Sequence, residues 1–264
     1  MCHKAKTVDP PKKSFNIKYC YKVNRIGNGH RLFNLPYAHY QRDNIQRAGY
    51  PVFSGESNLD YGARLGRLTV PPSRAQFLAN QGYLEVWFAE AMTGGKNFPD
   101  RFPGPVRQPF QDDVESSTPP ADLYILSGGH QDTRGLVSLD DQDMTFYLGR
   151  PFNWPRIRVN RGQELYVEWV YYAPRATRGY RAFITKNDWS QRWPYSRDQI
   201  EPVPFWEMLN PQTPYWQHTA ALKPKDNMLI PLPWNKRGYH VILLLWLTTD
   251  THYAVYQALD VDFG

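Results

Sequence analysis

Seven histidines, two cysteines and two pairs of adjacent carboxylates are the residues of this 264-residue chain whose types invite chemistry, and their spacing withholds most of it. The histidines are His3, His30, His39, His130, His218, His240 and His252, and none forms an H-x-H or H-x-x-x-H pair suited to a metal. His240, at the start of an apolar strand, reads as a satisfied structural residue, and His252 as a surface one. Cys2 and Cys20 make no C-x-x-C arrangement, and Cys2-His3 suggests adventitious Ni or Cu binding at most. No G-x-S-x-G elbow is present, and Asp112-Asp113 and Asp140-Asp141 read as loop carboxylates with no catalytic motif around them. Hydrolytic chemistry therefore has no sequence support.

Three blocks carry more information. Trp169 to Trp189 reads W-V-Y-Y-A-P-R-A-T-R-G-Y-R-A-F-I-T-K-N-D-W, and the tail from Gly238 reads G-Y-H-V-I-L-L-L-W-L-T-T-D-T-H-Y-A-V-Y-Q-A-L-D-V-D-F. The third, Leu65 to Arg74, reads L-G-R-L-T-V-P-P-S-R. Together they resemble the copper-dependent lytic polysaccharide monooxygenases of bacteria and insect viruses, the chitin-binding type-4 domains. Ala121 to Gly129 and Leu136 to Leu139 resemble further stretches of that family.

The resemblance implies a copper ion held by two histidines, one of them the mature N-terminal residue whose free amine is itself a ligand. At the matching positions this chain has Leu65 for the N-terminal His, Arg175 for the second His and Val255 for the axial Phe. Leu65 offers no side-chain ligand, and an internal residue offers an amide in place of an amine. Arg175 is permanently charged and has no lone pair to give a metal. The expectation is a scaffold kept and its chemistry lost, with no catalytic residue, no metal and no cofactor. An active monooxygenase would need a terminal His that no cleavage near residue 65 exposes. Ala173, Glu115, Asp250 and Tyr256 match family residues that would shape the surface, and Arg175 is expected to pair with Glu115 or Asp250.

Two functions compete. The first is a non-catalytic binder of chitin or a related β-linked polysaccharide, its candidate face being Tyr83, Trp87, Glu115, Arg175, Asp250 and Tyr253, where aromatics stack on sugar rings and polar groups meet hydroxyls. The second is a structural or docking subunit of a larger particle, such as a virion, a phage-tail-like device or a toxin assembly. It is suggested by charge: residues 1–64 hold 11 Lys/Arg against 4 Asp/Glu, and the remaining residues 20 against 21. The positive excess thus lies in an N-terminal extension, which is expected to dock on a protein partner or the domain through Phe33, Leu35 and Tyr37 with a basic rim. Its basic residues are scattered with no nucleic-acid motif, so nucleic acid is not an expected partner. No apolar run is long enough to span a membrane. The start, M-C-H-K-A-K, shows no signal-peptide pattern, which points to synthesis in the cytoplasm with release inside a particle or by non-classical export. Whether Cys2 and Cys20 are bridged stays open.

The elements that must position these residues are mostly strands. Tyr, Val, Trp, Phe and Thr are plentiful, and 23 Pro and 18 Gly punctuate them. Leu65 opens a strand that ends at Pro71-Pro72. Ala75 to Ala91 reads as a short helix or a loop with helical pieces, and Thr93 to Pro120 as a long loop. Met144–Leu148, Arg156–Val159, Leu165–Tyr172, Arg181–Lys186, Tyr239–Leu247 and Tyr253–Phe263 read as strands, with Val167, Trp169, Leu243 and Leu245 in the core. The fold class expected is all-β: an antiparallel immunoglobulin/fibronectin-III-like β-sandwich over residues 65–264, with long loop elaboration, preceded by the extension at 1–64.

Overall fold

The computed structural model describes residues 64–105, 112–193 and 195–264. The anchors Phe33, Leu35 and Tyr37, both cysteines and the first three histidines lie outside the described residues.

Strand β1 (Gly66–Val70), β4 (Glu164–Tyr171) and β7 (Asn227–Pro231) form a three-stranded antiparallel sheet in the order β1-β4-β7. The second sheet runs β2-β9-β8-β5-β6, from β2 (Thr93–Gly95), β9 (Tyr253–Asp262), β8 (Tyr239–Thr248), β5 (Thr177–Ile184) and β6 (Trp206–Leu209). The two-residue β3 (Ile157–Arg158) runs parallel to β9 at Val261 and Asp262. The expected antiparallel sandwich is therefore present, with β3 as a parallel addition.

β4 alternates as a half-buried strand should: Leu165, Val167 and Trp169 face inward, while Glu164, Tyr166 and Val170 face solvent. Its inward side meets Ile242, Leu244 and Trp246 of β8 and Val255, Leu259 and Val261 of β9 in one core. β8 and β9 are covered on both faces, which is why they read as nearly unbroken apolar runs. Leu243 and Leu245 are buried as expected, but on the face of β8 turned away from the sandwich core.

That outer face is covered by helices and loops. α1 (Arg74–Asn80) begins where Ser73 Oγ accepts a hydrogen bond from Gln76 N at 3.2 Å. α2 (Val86–Glu90) follows, so Ala75 to Ala91 resolves into two short helices. Arg74 passes beneath them as a buried cation. Its Nε and Nη2 donate to Asp260 Oδ2 and Oδ1 at 2.8 and 2.7 Å, and its Nη1 donates to the Val137 and Leu139 carbonyls.

One expected strand is a helix. Met144–Leu148 lies in α3 (Asp141–Leu148), because Asp140 caps the first turn by accepting from Asp143 N at 2.7 Å and Gly149 closes the last in a left-handed conformation. The alternation of apolar residues was too short to outweigh these caps. Burial, with the nearby Asp140 carboxylate, pushes Asp143 up to about 7. Its folded-state value lies above the ordinary carboxylate value, so the folded chain holds the proton longer, and stability falls as pH rises from about 4 to about 7. Asp143→Asn is expected to flatten that part of a urea-denaturation pH profile; an unchanged profile would show that Asp143 titrates normally. β6 and β7, four and five residues long, were not anticipated. No described helix is long and apolar enough to cross a membrane.

Candidate functional site

The start of β1 is stitched to the end of β4. The Leu65 carbonyl accepts from Tyr172 N at 2.9 Å and Ala173 N at 3.0 Å, while Leu65 N donates to Glu90 O at 3.0 Å. Gly66 permits this approach, since a Cβ there would lie 2.8 Å from the Val170 carbonyl oxygen. Leu65 is fully buried and shares the sandwich core with Val255, which pairs with Trp246 on one side and Thr93 on the other. Arg64, one residue upstream, donates through Nε and Nη2 to Glu90 Oε2 at 2.9 and 2.7 Å and lies 3.7 Å from the Tyr172 ring centre. Arg67 reaches the other oxygen of the same carboxylate.

Beside this lies Arg175, in the turn between β4 and β5. It is exposed, and its Nη1 stands 3.8 Å from Asp250 Oδ2, so of the two expected carboxylates Asp250 is the partner. Three segments are sewn together around it. Thr249 N donates to Ala176 O at 2.8 Å, Val114 N to Thr249 O at 2.8 Å and Ser117 N to His252 O at 2.9 Å. His252, exposed as expected, bonds the Glu115 carbonyl through Nδ1 at 2.9 Å and packs edge-on to Tyr253. Glu115, Arg175, Asp250 and Tyr253 are thus gathered at one end of the sandwich. Tyr83 leans instead on Arg150, which donates to its hydroxyl, and Trp87 stacks on Phe88 with ring centres 3.7 Å apart on α2. These two belong to the α1–α2 edge, which meets Leu65 through Glu90.

Beneath Arg175 lies a charged layer that the sequence did not disclose. Arg178 and Asp113 form a bidentate pair, Nε to Oδ2 at 3.0 Å and Nη2 to Oδ1 at 2.6 Å, both side chains almost wholly buried. Lys96, only 1% exposed, donates from Nζ to the Thr248 carbonyl at 3.0 Å. Burial pulls it down to about 8, with Asp113 and Asp250 opposing the fall. Asp250 Oδ1 is buried and has no hydrogen-bond partner among the described residues.

The loops flanking this end carry exposed aromatics outside the expected set. Trp216 is 58% exposed on the 210–222 loop, which is tied down where Thr177 N donates to Leu222 O at 2.6 Å and Asn210 Nδ2 to Thr177 O at 3.0 Å. Phe102 is exposed on the segment that bridges to Ser116 through Gly104. Tyr172 is exposed beside Arg64. The available signal was aromatics next to proline, in P-Y-W and R-F-P, within loops. Chemically the end offers flat rings, the Arg175 and Arg64 guanidiniums and the Glu115 and Asp250 carboxylates. That set stacks on sugar rings and pairs with hydroxyl or amide groups. Among the described residues, no three His, Cys, Asp or Glu side chains converge as a metal site.

His240 is a structural histidine, as expected. It is buried, with Nδ1 at 2.9 Å from Thr185 Oγ1 and Nε2 at 3.1 Å from the Arg237 carbonyl, and burial pulls its titration down.

Comparison with known proteins agrees with this architecture. A chitin-binding domain from Burkholderia pseudomallei superposes with a TM-score of 0.68 at 34% identity, covering 76% of this chain and 99% of that one. An AA10 lytic polysaccharide monooxygenase from Streptomyces lividans superposes with a TM-score of 0.56 at 25% identity, covering 75% and 99%. Among curated proteins, GlcNAc-binding protein A of Aliivibrio fischeri strain MJ11 is 28% identical over 204 residues, 76% of this chain but 34% of that protein. The chain thus matches only about a third of the length of these curated relatives. The family profile described as lytic polysaccharide mono-oxygenase, cellulose-degrading, matches residues 66–261, well over half the chain, and the chain belongs to that family.

Proposed function

We propose that this protein is a non-catalytic binder of chitin or a closely related β-linked polysaccharide, built on a monooxygenase scaffold whose copper-site positions hold Leu65, Arg175 and Val255. The carrying observation is at Leu65: its nitrogen is an internal amide that already donates to Glu90 O at 3.0 Å. A copper brace needs nitrogen lone pairs. An amide donating its N–H, an aliphatic side chain sealed in the core and a guanidinium paired with Asp250 supply none, so these residues do not fit the metal. This end has what recognition of a polysaccharide needs: Tyr172, Arg175 and Glu115 exposed, Asp250 half-buried, and Trp216 exposed on the loop tied to Thr177. The names of the relatives favour chitin over cellulose as the glycan, although the family description mentions cellulose.

Capture of the full chain on crystalline chitin tests this. Trp216→Ala and Arg175→Ala are each expected to weaken capture by about three- to tenfold, the worth of one aromatic or charge-assisted contact. Wild-type capture by both variants would end the assignment of this face. Isothermal titration is expected to show no sub-micromolar Cu(II) binding that survives replacement of Cys2 and His3. Ascorbate-driven release of oxidised chitin fragments would overturn the non-catalytic reading, whichever face binds.

A further inference from the structure

At the end of β4 opposite Arg175 the chain builds an aromatic surface that the reading above leaves unused. Gly162, in the turn leading into β4, has φ +71°, and a Cβ there would come within 2.2 Å of the Trp234 ring. The indole therefore rests on bare backbone and is still 76% exposed. One face is held by the turn and the other is open to solvent. The turn is braced, since Asn160 N and Nδ2 both donate to Gln163 Oε1, at 2.9 and 3.2 Å, and Leu232 N donates to Gln163 O at 2.8 Å.

Further along β4 the outward residues are Glu164, Tyr166, Glu168 and Val170, facing Asn227, Leu229 and Pro231 on β7. Tyr166 sits directly across from Leu229, and its hydroxyl donates to Glu168 Oε1 at 2.7 Å, which holds the ring along the strand. Tyr166 lies four positions beyond Gly162, roughly 13 Å of chain at a strand's rise. The outward positions of these two strands hold two carboxylates and no basic side chain. The two pre-set rings, with Glu164 between them and Glu168 beyond Tyr166, form a linear platform whose ordering cost was met during folding.

We propose that the solvent face of β4 and β7, ending at Trp234, is a second glycan-binding surface that takes a single β-linked chain of amino sugars with free amines. Ring faces of the sugars stack on Trp234 and Tyr166, and protonated amines pair with Glu164 and Glu168. The inference is independent of the chitin reading, because it uses none of the residues at the Arg175 end.

The test is titration of the full-length protein with a short, soluble, fully deacetylated chitosan oligomer in mildly acidic buffer, followed by tryptophan fluorescence and calorimetry. Saturable binding is expected, weakened about tenfold by Trp234→Ala and severalfold by Tyr166→Ala. The pair Glu164→Gln with Glu168→Gln is expected to weaken it similarly and to remove most of its salt dependence. All these side chains are exposed enough for the variants to fold, which thermal melting verifies, and Val203→Ser serves as a remote surface control. No binding by wild type, or wild-type affinity in Trp234→Ala, overturns the proposal. Loss in Arg175→Ala with retention in Trp234→Ala moves binding to the other end, and overturns this proposal while sparing the chitin reading. Equal, Trp234-dependent binding of an oligolysine peptide reassigns the face to basic peptides and overturns the glycan assignment.

Discussion

Arg74→Ala is expected to lower the unfolding free energy by about 3–5 kcal/mol, the usual cost of leaving one member of a buried ion pair alone. Both side chains of the Arg74–Asp260 pair are nearly sealed from solvent, at 1% and 2% exposure. The guanidinium also holds the Val137 and Leu139 carbonyls and the Tyr195 and Tyr239 hydroxyls, and lies 4.3 Å from the Trp154 ring centre. Removing it strands a carboxylate and several acceptors at once. Urea denaturation reads the effect as a lower midpoint with the slope unchanged. Replacing both partners, Arg74→Met with Asp260→Leu, is expected to recover part of the loss, because no charge is then left unpaired. A single variant as stable as wild type would mean that Asp260 is solvated after all.

The second large effect is a pH dependence set by Lys96. Its folded-state value of about 8 lies below that of an ordinary lysine near 10.4, so between those limits the unfolded chain holds the extra proton. Stability from this group is therefore complete above the unfolded value and is lost as pH falls through about 8. The full gain across the window amounts to at most about 3 kcal/mol. Tyr239 and Tyr256 act oppositely, since burial raises both, and from about pH 10 upward the unfolded state ionises first. Urea midpoints are thus expected to rise from pH 8 toward pH 10 and then fall. Lys96→Met should abolish the rise and keep the fall. Parallel profiles for the two proteins would remove Lys96 as the cause.

Strands buried on one or both faces were legible in the sequence because burial writes itself into residue type. β4 alternates and β8 and β9 run apolar, so all three were placed within a residue or two. Met144–Leu148 was misread because five residues of mixed polarity fit a strand as well as a helix, and the caps at Asp140 and Gly149 decide between them. β7 was missed because its alternation spans only five residues between loops, and its pairing with β4 is a long-range event. At the Arg175 end, Asp250 was one of two carboxylates expected to pair with Arg175, Glu115 being the other, and the structure selects Asp250. Trp216 was not, because its exposure depends on how the 210–222 loop is tied to Thr177. Lys96 has no sequence signature: a lysine after two glycines reads as a surface residue, and only the closing of β2 against β9 buries it.

The hold of Glu90 on Arg64 bears on proteolysis. The Arg64–Leu65 bond has the sequence a trypsin-like protease prefers, and cutting it would give the domain a new amino terminus. To be cut, a segment must leave its fold and extend into the enzyme's cleft, with the arginine side chain free to enter a pocket. Here the guanidinium is gripped by a carboxylate and an aromatic ring, the next side chain is sealed in the core, and its carbonyl is spoken for by two amides just past the end of β4. Cleavage there must wait for the edge of the sheet to open, so at a fixed protease concentration its rate follows the local stability of β1. The entry to β1 is thereby shielded at the very bond whose hydrolysis would expose residue 65.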